Sequence, residues 1–411
     1  MLKIEKYQKL FAHLSLFLFF TLLFVLPKGY NYGATLLLVA SVVFLFYSLY
    51  KKVGLFQILD KNKPIFMSVT FYFLVSLLFI FFYGEKIRLI DNPFRAFLFL
   101  SVIIFLSYSK LKFDLLLYII PLGSFIAGVV ALYQYYILHL PSAFWEQMKI
   151  QSGDIAMSLG LFSFIVSLYF IDINKSKFTL LSTVAGLFGV LASVLSFARG
   201  GWVGIPLIFF VVLYIYKNRI SKKLVGVIGL GILIGGVLLS NNAQFMDRVL
   251  SVKSALTSYS NGVKDGSIGA RLDMWKMGID AFLEHPISGW NLKELENYKK
   301  ELAEKGVVSP EFIQYTHFHN QFIDDTAKKG LLGGISLLGV FLIPLYFFYK
   351  KQKNHKESKR IKFITTLGII HILSIMSYCI TQAFLAHNSG NIFYFFLLVV
   401  FWTFMKNESE E

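Results

Sequence analysis

The run Pro64-Ile-Phe-Met-Ser-Val-Thr-Phe-Tyr-Phe-Leu-Val-Ser-Leu-Leu-Phe-Ile-Phe-Phe-Tyr83 contains no charged residue. As an α-helix it would rise ~30 Å, the thickness of the hydrocarbon core of a bilayer. Comparable runs precede and follow it at about residues 11–26, 33–50, 93–109, 113–138 and 152–171. Further ones lie at about 179–197, 201–216, 222–240, 331–349, 361–385 and 389–405. The expected fold is therefore an all-α polytopic membrane protein with about twelve transmembrane helices. Composition agrees: 56% of the 411 residues are hydrophobic, only 16% are charged, and 44 are Phe. A water-soluble domain could not hide that much apolar surface.

The formal charge of +16 does not point to nucleic acid, because the lysines sit in short clusters between apolar runs. With the N-terminus inside, the cytoplasmic connections carry Lys51, Lys52, Lys61 and Lys63, then Lys110 and Lys112, then Lys175 and Lys177. Lys217, Arg219, Lys222, Lys223 and the dense Lys350–Lys362 run fall on the same side. The short connections opposite carry only Lys28, Lys86, Arg88, Lys149 and Arg199, so alternation satisfies the positive-inside rule. The expected organisation is 1–240 as transmembrane helices one to nine, 241–329 as a helical periplasmic loop, and 330–411 as helices ten to twelve. The C-terminus then lies in the cytoplasm. Leu26-Pro-Lys-Gly lacks a small-x-small cleavage pattern, so the first run reads as a retained helix. Cys379 is the one cysteine, which excludes an intramolecular disulfide.

Within the long polar segment, Ser267 is a candidate cap for a helix whose Leu272, Trp275, Ile279 and Phe282 recur at helical spacing, stopped by Pro286. A polar helix is expected at about Leu292–Lys305. Ser309-Pro310-Glu311 would start another, running through the i,i+4 pairs Asp324/Lys328 and Asp325/Lys329 into the tenth span.

Three groups on the outer side have the chemistry for a site: Arg199, Arg271 and His317-Phe-His319-Asn320. Arg199, in Ser196-Phe-Ala-Arg-Gly-Gly-Trp202, stands between two apolar runs, where a charge needs water, a lipid headgroup or an anionic ligand. Gly200 and Gly201 form a tight turn there, which would let a ligand approach the backbone. With Trp202 beside it as an interfacial anchor, Arg199 could equally bind lipid phosphate. Arg271 lies in the first turn of its helix, against the macrodipole, although most exposed loop arginines have no special task. On a continuing helix Gly330 and Gly333 fall within ~40° of His319, a glycine face for close packing with the imidazole just beyond it. An imidazole can take a proton from a hydroxyl, and nearby arginines would favour its neutral form. His317, two residues away, is the alternative base. Arg95 begins the fourth span on the outer side, where lipid binding competes with an anionic ligand. There is no Cys or carboxylate at metal-ligand spacing, no P-loop and no dinucleotide fingerprint, so neither metal nor cofactor is expected. Few acids lie inside the spans, which argues against ion-coupled transport.

Ser196-Phe-Ala-Arg199-Gly-Gly-Trp202, together with Arg271-Leu-Asp-Met-Trp275, resembles the O-antigen ligase and polymerase superfamily. His319-Asn320, nine residues, then Gly330-Leu-Leu-Gly333 is similar to the ligase motif. Some ligases carry Leu four residues after each arginine, where this chain has Val203 and Trp275. The arginines therefore carry over rather than their full motifs.

The resemblance implies a GT-C-like, metal-independent inverting glycosyltransferase. It would move O-antigen from undecaprenyl diphosphate to a terminal sugar of lipid A–core. Arg199 and Arg271 would bind the donor diphosphate and His319 would act as base, with His317, Asn320, Gly330, Gly333, Trp202 and Trp275 in supporting places. An O-antigen polymerase or protein O-oligosaccharyltransferase would use the same donor. A flippase for a lipid-linked sugar would need a polar path through the spans, of which the sequence shows little.

Overall fold

The computed structural model describes residues 2–51, 54–109, 111, 113–217, 266–310, 313–355 and 358–408, and every regular element among them is helical. The first half is α1 (Leu2–Leu22), α2 (Tyr32–Tyr50), short α3 (Leu55–Lys61), α4 (Lys63–Tyr83), α5 (Asp91–Leu98), α6 (Leu100–Ser109) and α7 (Leu116–Leu132). Then come α8 (Lys149–Asp172), α9 (Ser176–Leu195), α10 (Gly200–Val203) and α11 (Ile205–Tyr216). The polar segment contributes α12 (Gly266–Glu284) and α13 (Leu292–Glu304), and α14 (Gln321–Asn354), α15 (Lys359–Thr381) and α16 (Asn388–Asn407) complete the chain.

Nine helices among the described residues are long and apolar enough to cross a membrane, and Gly200–Tyr216 is a shorter apolar one. The expected run at 11–26 is carried largely by α1. The expected span at 222–240, Arg219, and the start of the polar segment lie outside the described residues. The chain is thus an all-α polytopic membrane protein.

Burial sorts the helices. Of the apolar window in α16, 94% is buried inside the protein, against 28% for the helix ending at Tyr50. The bundle is therefore built around α16, with α8 and α15 beside it, while α2 keeps an apolar face for lipid. Small residues bring neighbours close: a Cβ on Gly189 of α9 would stand 2.7 Å from the Gly160 nitrogen of α8. Polar atoms inside the bundle are tied across it. The Trp402 indole donates to Asn62 Oδ1 at 2.7 Å, and the Tyr394 hydroxyl donates to the Val340 carbonyl at 2.7 Å.

The polar segment has a small core of its own, formed by Met274, Met277, Ala281, Leu295, Leu302, Val308, Phe318 and Ala327. The packed face of α12 is thus a stripe beside the Leu272–Phe282 spacing, and Ile279 is exposed. Pro286 follows the end of α12 as expected. Asn291 starts α13 by accepting from the backbone N–H groups of Lys293 and Glu294.

One expectation fails. No helix runs from Ser309 into the tenth span: residues 313–320 are irregular, and α14 begins only at Gln321. Asn320 ends the irregular stretch because its side chain caps the Phe322 and Ile323 N–H groups, at 3.0 and 3.2 Å. Helical geometry breaks again at Gly330 (φ 63°, ψ −162°). There the chain after α12 crosses over: Leu331 N–H donates to the Pro286 carbonyl and Trp290 N–H to the Lys328 carbonyl. A Cβ on Gly330 would stand 2.1 Å from the Ile287 carbonyl oxygen. Gly330 is therefore a backbone crossing, and the predicted glycine face continuous with His319 does not exist.

Candidate functional site

His319 sits in the irregular stretch just before α14, in the left-handed region at φ 51°. Its neighbours on both sides are anchored. Phe318 is fully buried in the core of the polar segment, and its N–H donates to Asp324 Oδ1 at 3.1 Å. Lys299 lies 4.5 Å from the Phe318 ring centre and donates to the Tyr315 carbonyl, and Lys328 donates to the Thr316 carbonyl. The Trp275 indole donates to the His319 carbonyl at 3.4 Å. The expected pairs Asp324–Lys328 and Asp325–Lys329 both form, with carboxylates that are almost wholly buried. Gln321 extends the same frame: it donates to Asp325 and accepts from the Leu385 and Ala386 N–H groups, which fixes the loop between α15 and α16.

That loop brings a third imidazole. The rings of His317 and His319 lie 4.3 Å apart, and His387 is 5.6 Å from His317. Burial, then the neighbouring His319, pushes the pKa of His317 down to about 4. Burial, then the charge of Arg271, lowers that of His319, with the Gln382 amide opposing. Burial lowers that of His387 too. Burial thus disfavours the charged form of all three rings. The His319 backbone N–H donates to His317 Nδ1 at 3.4 Å, whereas Nδ1 of His319 is buried without a hydrogen-bond partner among the described residues. Each ring thus has one engagement, His317 with that N–H and His319 with the Gln382 side chain, and Nδ1 of His319 is left over.

Arg199 precedes α10 in the break between α9 and α11. The left-handed residue of that break is Phe197 (φ 56°), not a glycine. Ser196 closes the preceding helix by donating to the Ser193 carbonyl and accepting from Ala198 N–H, and Trp202 turns its indole back onto Ser193. The two glycines that looked like a turn instead admit a neighbour. A Cβ on Gly200 would lie 2.7 Å from Thr381 Oγ1, and one on Gly201 would lie 3.0 Å from Asp154 Oδ1. The expected opening for a ligand at their backbone is filled by these side chains.

Arg271 connects the two halves. Burial, then the charge of Arg199, lowers its pKa, with Asp154 opposing, and it in turn acts on His319. Arg271 thus lies within electrostatic range of Arg199 on one side and of His319 on the other. Gly330 and Gly333 act in the backbone of α14 rather than facing the imidazole. Arg95 is engaged within the protein, donating to Asn92 and Asn388.

Sequence reasoning missed Asp154, Gln151, Gln382, His387 and Asn391. Asp154 and Gln151 are fully buried in the first turns of α8. An acid in an otherwise apolar run was the available signal.

Two half-buried arginines and three imidazoles thus stand at one end of a polytopic helix bundle. Residues 184–338 match the family model described as O-antigen ligase. An O-antigen ligase of Escherichia coli K12 is 29% identical over 338 residues, covering 76% of this chain and 75% of that protein. An uncharacterized protein of Haemophilus influenzae is 36% identical over 400 residues, covering 97% of this chain and 99% of that protein. The chain is thus similar to O-antigen ligases, through residues 184–338 in the family model and over three quarters of its length in the Escherichia coli protein.

Proposed function

We propose that the protein transfers a glycan from undecaprenyl diphosphate to a terminal sugar of lipid A–core, on the periplasmic side of the bacterial inner membrane. Twelve transmembrane helices, counting one at 222–240, would put the polar segment there. The observation that carries the proposal is the position of Arg271, whose charge acts on Arg199 on one side and His319 on the other.

The donor brings a diphosphate to the membrane boundary, and two guanidiniums suit it as planar, permanently charged forks. They also stabilise the charge that grows on the diphosphate as the sugar C1–oxygen bond breaks. The acceptor hydroxyl oxygen attacks C1 from the opposite face, so the new glycosidic bond forms with inversion. Its proton passes to the neutral His319 ring, and undecaprenyl diphosphate leaves with the bonding electron pair. His319 rather than His317 is assigned as base because its Nδ1 is unpartnered among the described residues. The diphosphate is already an activated leaving group, so the step as drawn uses neither nucleotide nor metal. The braced polar segment holds the imidazole while the acceptor docks.

The test is purified protein with undecaprenyl-diphosphate glycan and one of three partners: lipid A–core, a pilin-type protein, or no second acceptor. Capped lipid A–core in the first arm alone is expected. Chain extension without a second acceptor would assign a polymerase instead, and a glycosylated pilin would assign a protein transferase.

A further inference from the structure

Among the described residues, fourteen buried side-chain nitrogen or oxygen atoms have no hydrogen-bond partner, and eight of them belong to five residues: Gln151, Asp154, His319, Gln382 and Asn391. Buried polar groups are ordinarily satisfied, so such a concentration marks a place where something else supplies the partners.

The five lie together at one end of the bundle. Gln151 and Asp154 are three residues apart, on one face of α8. The Gln151 Oε1 abuts α16, standing 2.7 Å from where a Cβ on Gly390 would be, and Asn391 follows that glycine. The Asp154 carboxylate lies against Gly200 and Gly201, next to Thr381, and Gln382 follows Thr381 at the end of α15. The Gln382 amide lies 3.4 Å from His387 Nε2 and bears on His319. Gln151, Asp154 and Asn391 are wholly buried, and Gln382 is 3% exposed. The cluster therefore links Gly200, beside Arg199, with His319.

We propose that Gln151, Asp154, Gln382 and Asn391 form the subsite for the sugar ring that the donor carries on its diphosphate. The inference rests on the proposed donor-binding role of Arg199 and Arg271. The reacting carbon must lie between the diphosphate and the base, and the ring attached to it would part these closely packed side chains as it enters. Each carboxamide offers both donors and an acceptor, and the carboxylate accepts from hydroxyls. That set matches the alternating donors and acceptors of a ring bearing hydroxyl or acetamido groups. A lipid chain would leave the amides unsatisfied, and a bare phosphate would leave their carbonyl oxygens without a donor.

The experiment uses Gln151→Met, Asn391→Leu and the full purified protein. Binding is measured with two probes: undecaprenyl-diphosphate glycan, and undecaprenyl diphosphate without sugar. Replacing an unsatisfied buried amide by an apolar group of similar shape removes a desolvation cost, so thermal stability is expected to hold or rise. Glycan donor binding is expected to weaken ~10-fold, and the sugar-free lipid to bind within ~2-fold of wild type. Equal weakening for both probes, or no weakening for either, would overturn the subsite. So would a fall in thermal stability in both variants, because the amides would then be holding helices together. Arg271→Gln is run in parallel. If it leaves the sugar-free lipid bound as in wild type, the donor reading fails. If it abolishes that binding while the amide variants change nothing, only the sugar subsite fails.

Discussion

The arginine half of the site is held from inside the helix bundle, whereas the histidine half is held by the polar segment at the end of it. Around Arg199, glycines permit direct approach of Asp154 and Thr381, and Ser196 and Trp202 bond back to Ser193. Around His319, the frame is a set of directed bonds from Asp324, Lys299, Lys328, Trp275 and Asn320. The histidine half uses these bonds to hold one short irregular stretch.

The largest expected effect contrasts one glycine from each half. Gly330→Ala puts a side chain into backbone geometry that only glycine adopts freely, at ~1–3 kcal/mol, and drives its Cβ into the Ile287 carbonyl. Thermal unfolding should shift down by several degrees, and protease should cut the polar segment. Gly200→Ala meets a Thr381 hydroxyl that can rotate, so its fold should survive while donor binding weakens. Equal destabilisation by both would erase the contrast.

Next is Asn320→Ala, which removes the cap of α14 at a cost of ~1 kcal/mol. Because the lost bonds lie beside His319, turnover should fall while donor affinity stays unchanged. A rise in donor KM without loss of kcat would contradict the division of labour.

The smallest effect is on pH. The folded pKa of His317 lies near 4, below its unfolded value of ~6.5. Between those values the unfolded chain binds more protons, so this contribution is complete above ~6.5 and is lost as pH falls toward 4. Hydrogen exchange should show residues 313–320 opening in that window, with the Arg199 region unaffected. In Arg271→Gln, NMR should show the His319 titration moving up, because a cation that lowers it is gone.

The spans were legible because an uncharged run of eighteen or more residues has few alternatives to crossing a bilayer. The break at Arg199 and the helix after Asn291 were legible for equally local reasons. The geometry around His319 was not. Asn320 is an ordinary residue in a helical pattern until its side chain turns to cap the next turn, and that depends on Phe318 being anchored in a distant core. Gly330 looked like a packing residue because the backbone that crosses it comes from residues 286–290. Asp154 was passed over because a single acid near a span end resembles an interfacial residue, and its burial against Gly201 is a tertiary fact.

The most direct test of the central claim is single-turnover transfer by purified His319→Ala protein, with donor affinity measured on the same preparation. The account predicts that donor binds as in wild type while transfer slows by ~100-fold or more. Transfer within ~10-fold of the wild-type rate, with donor bound, would contradict His319 as the base.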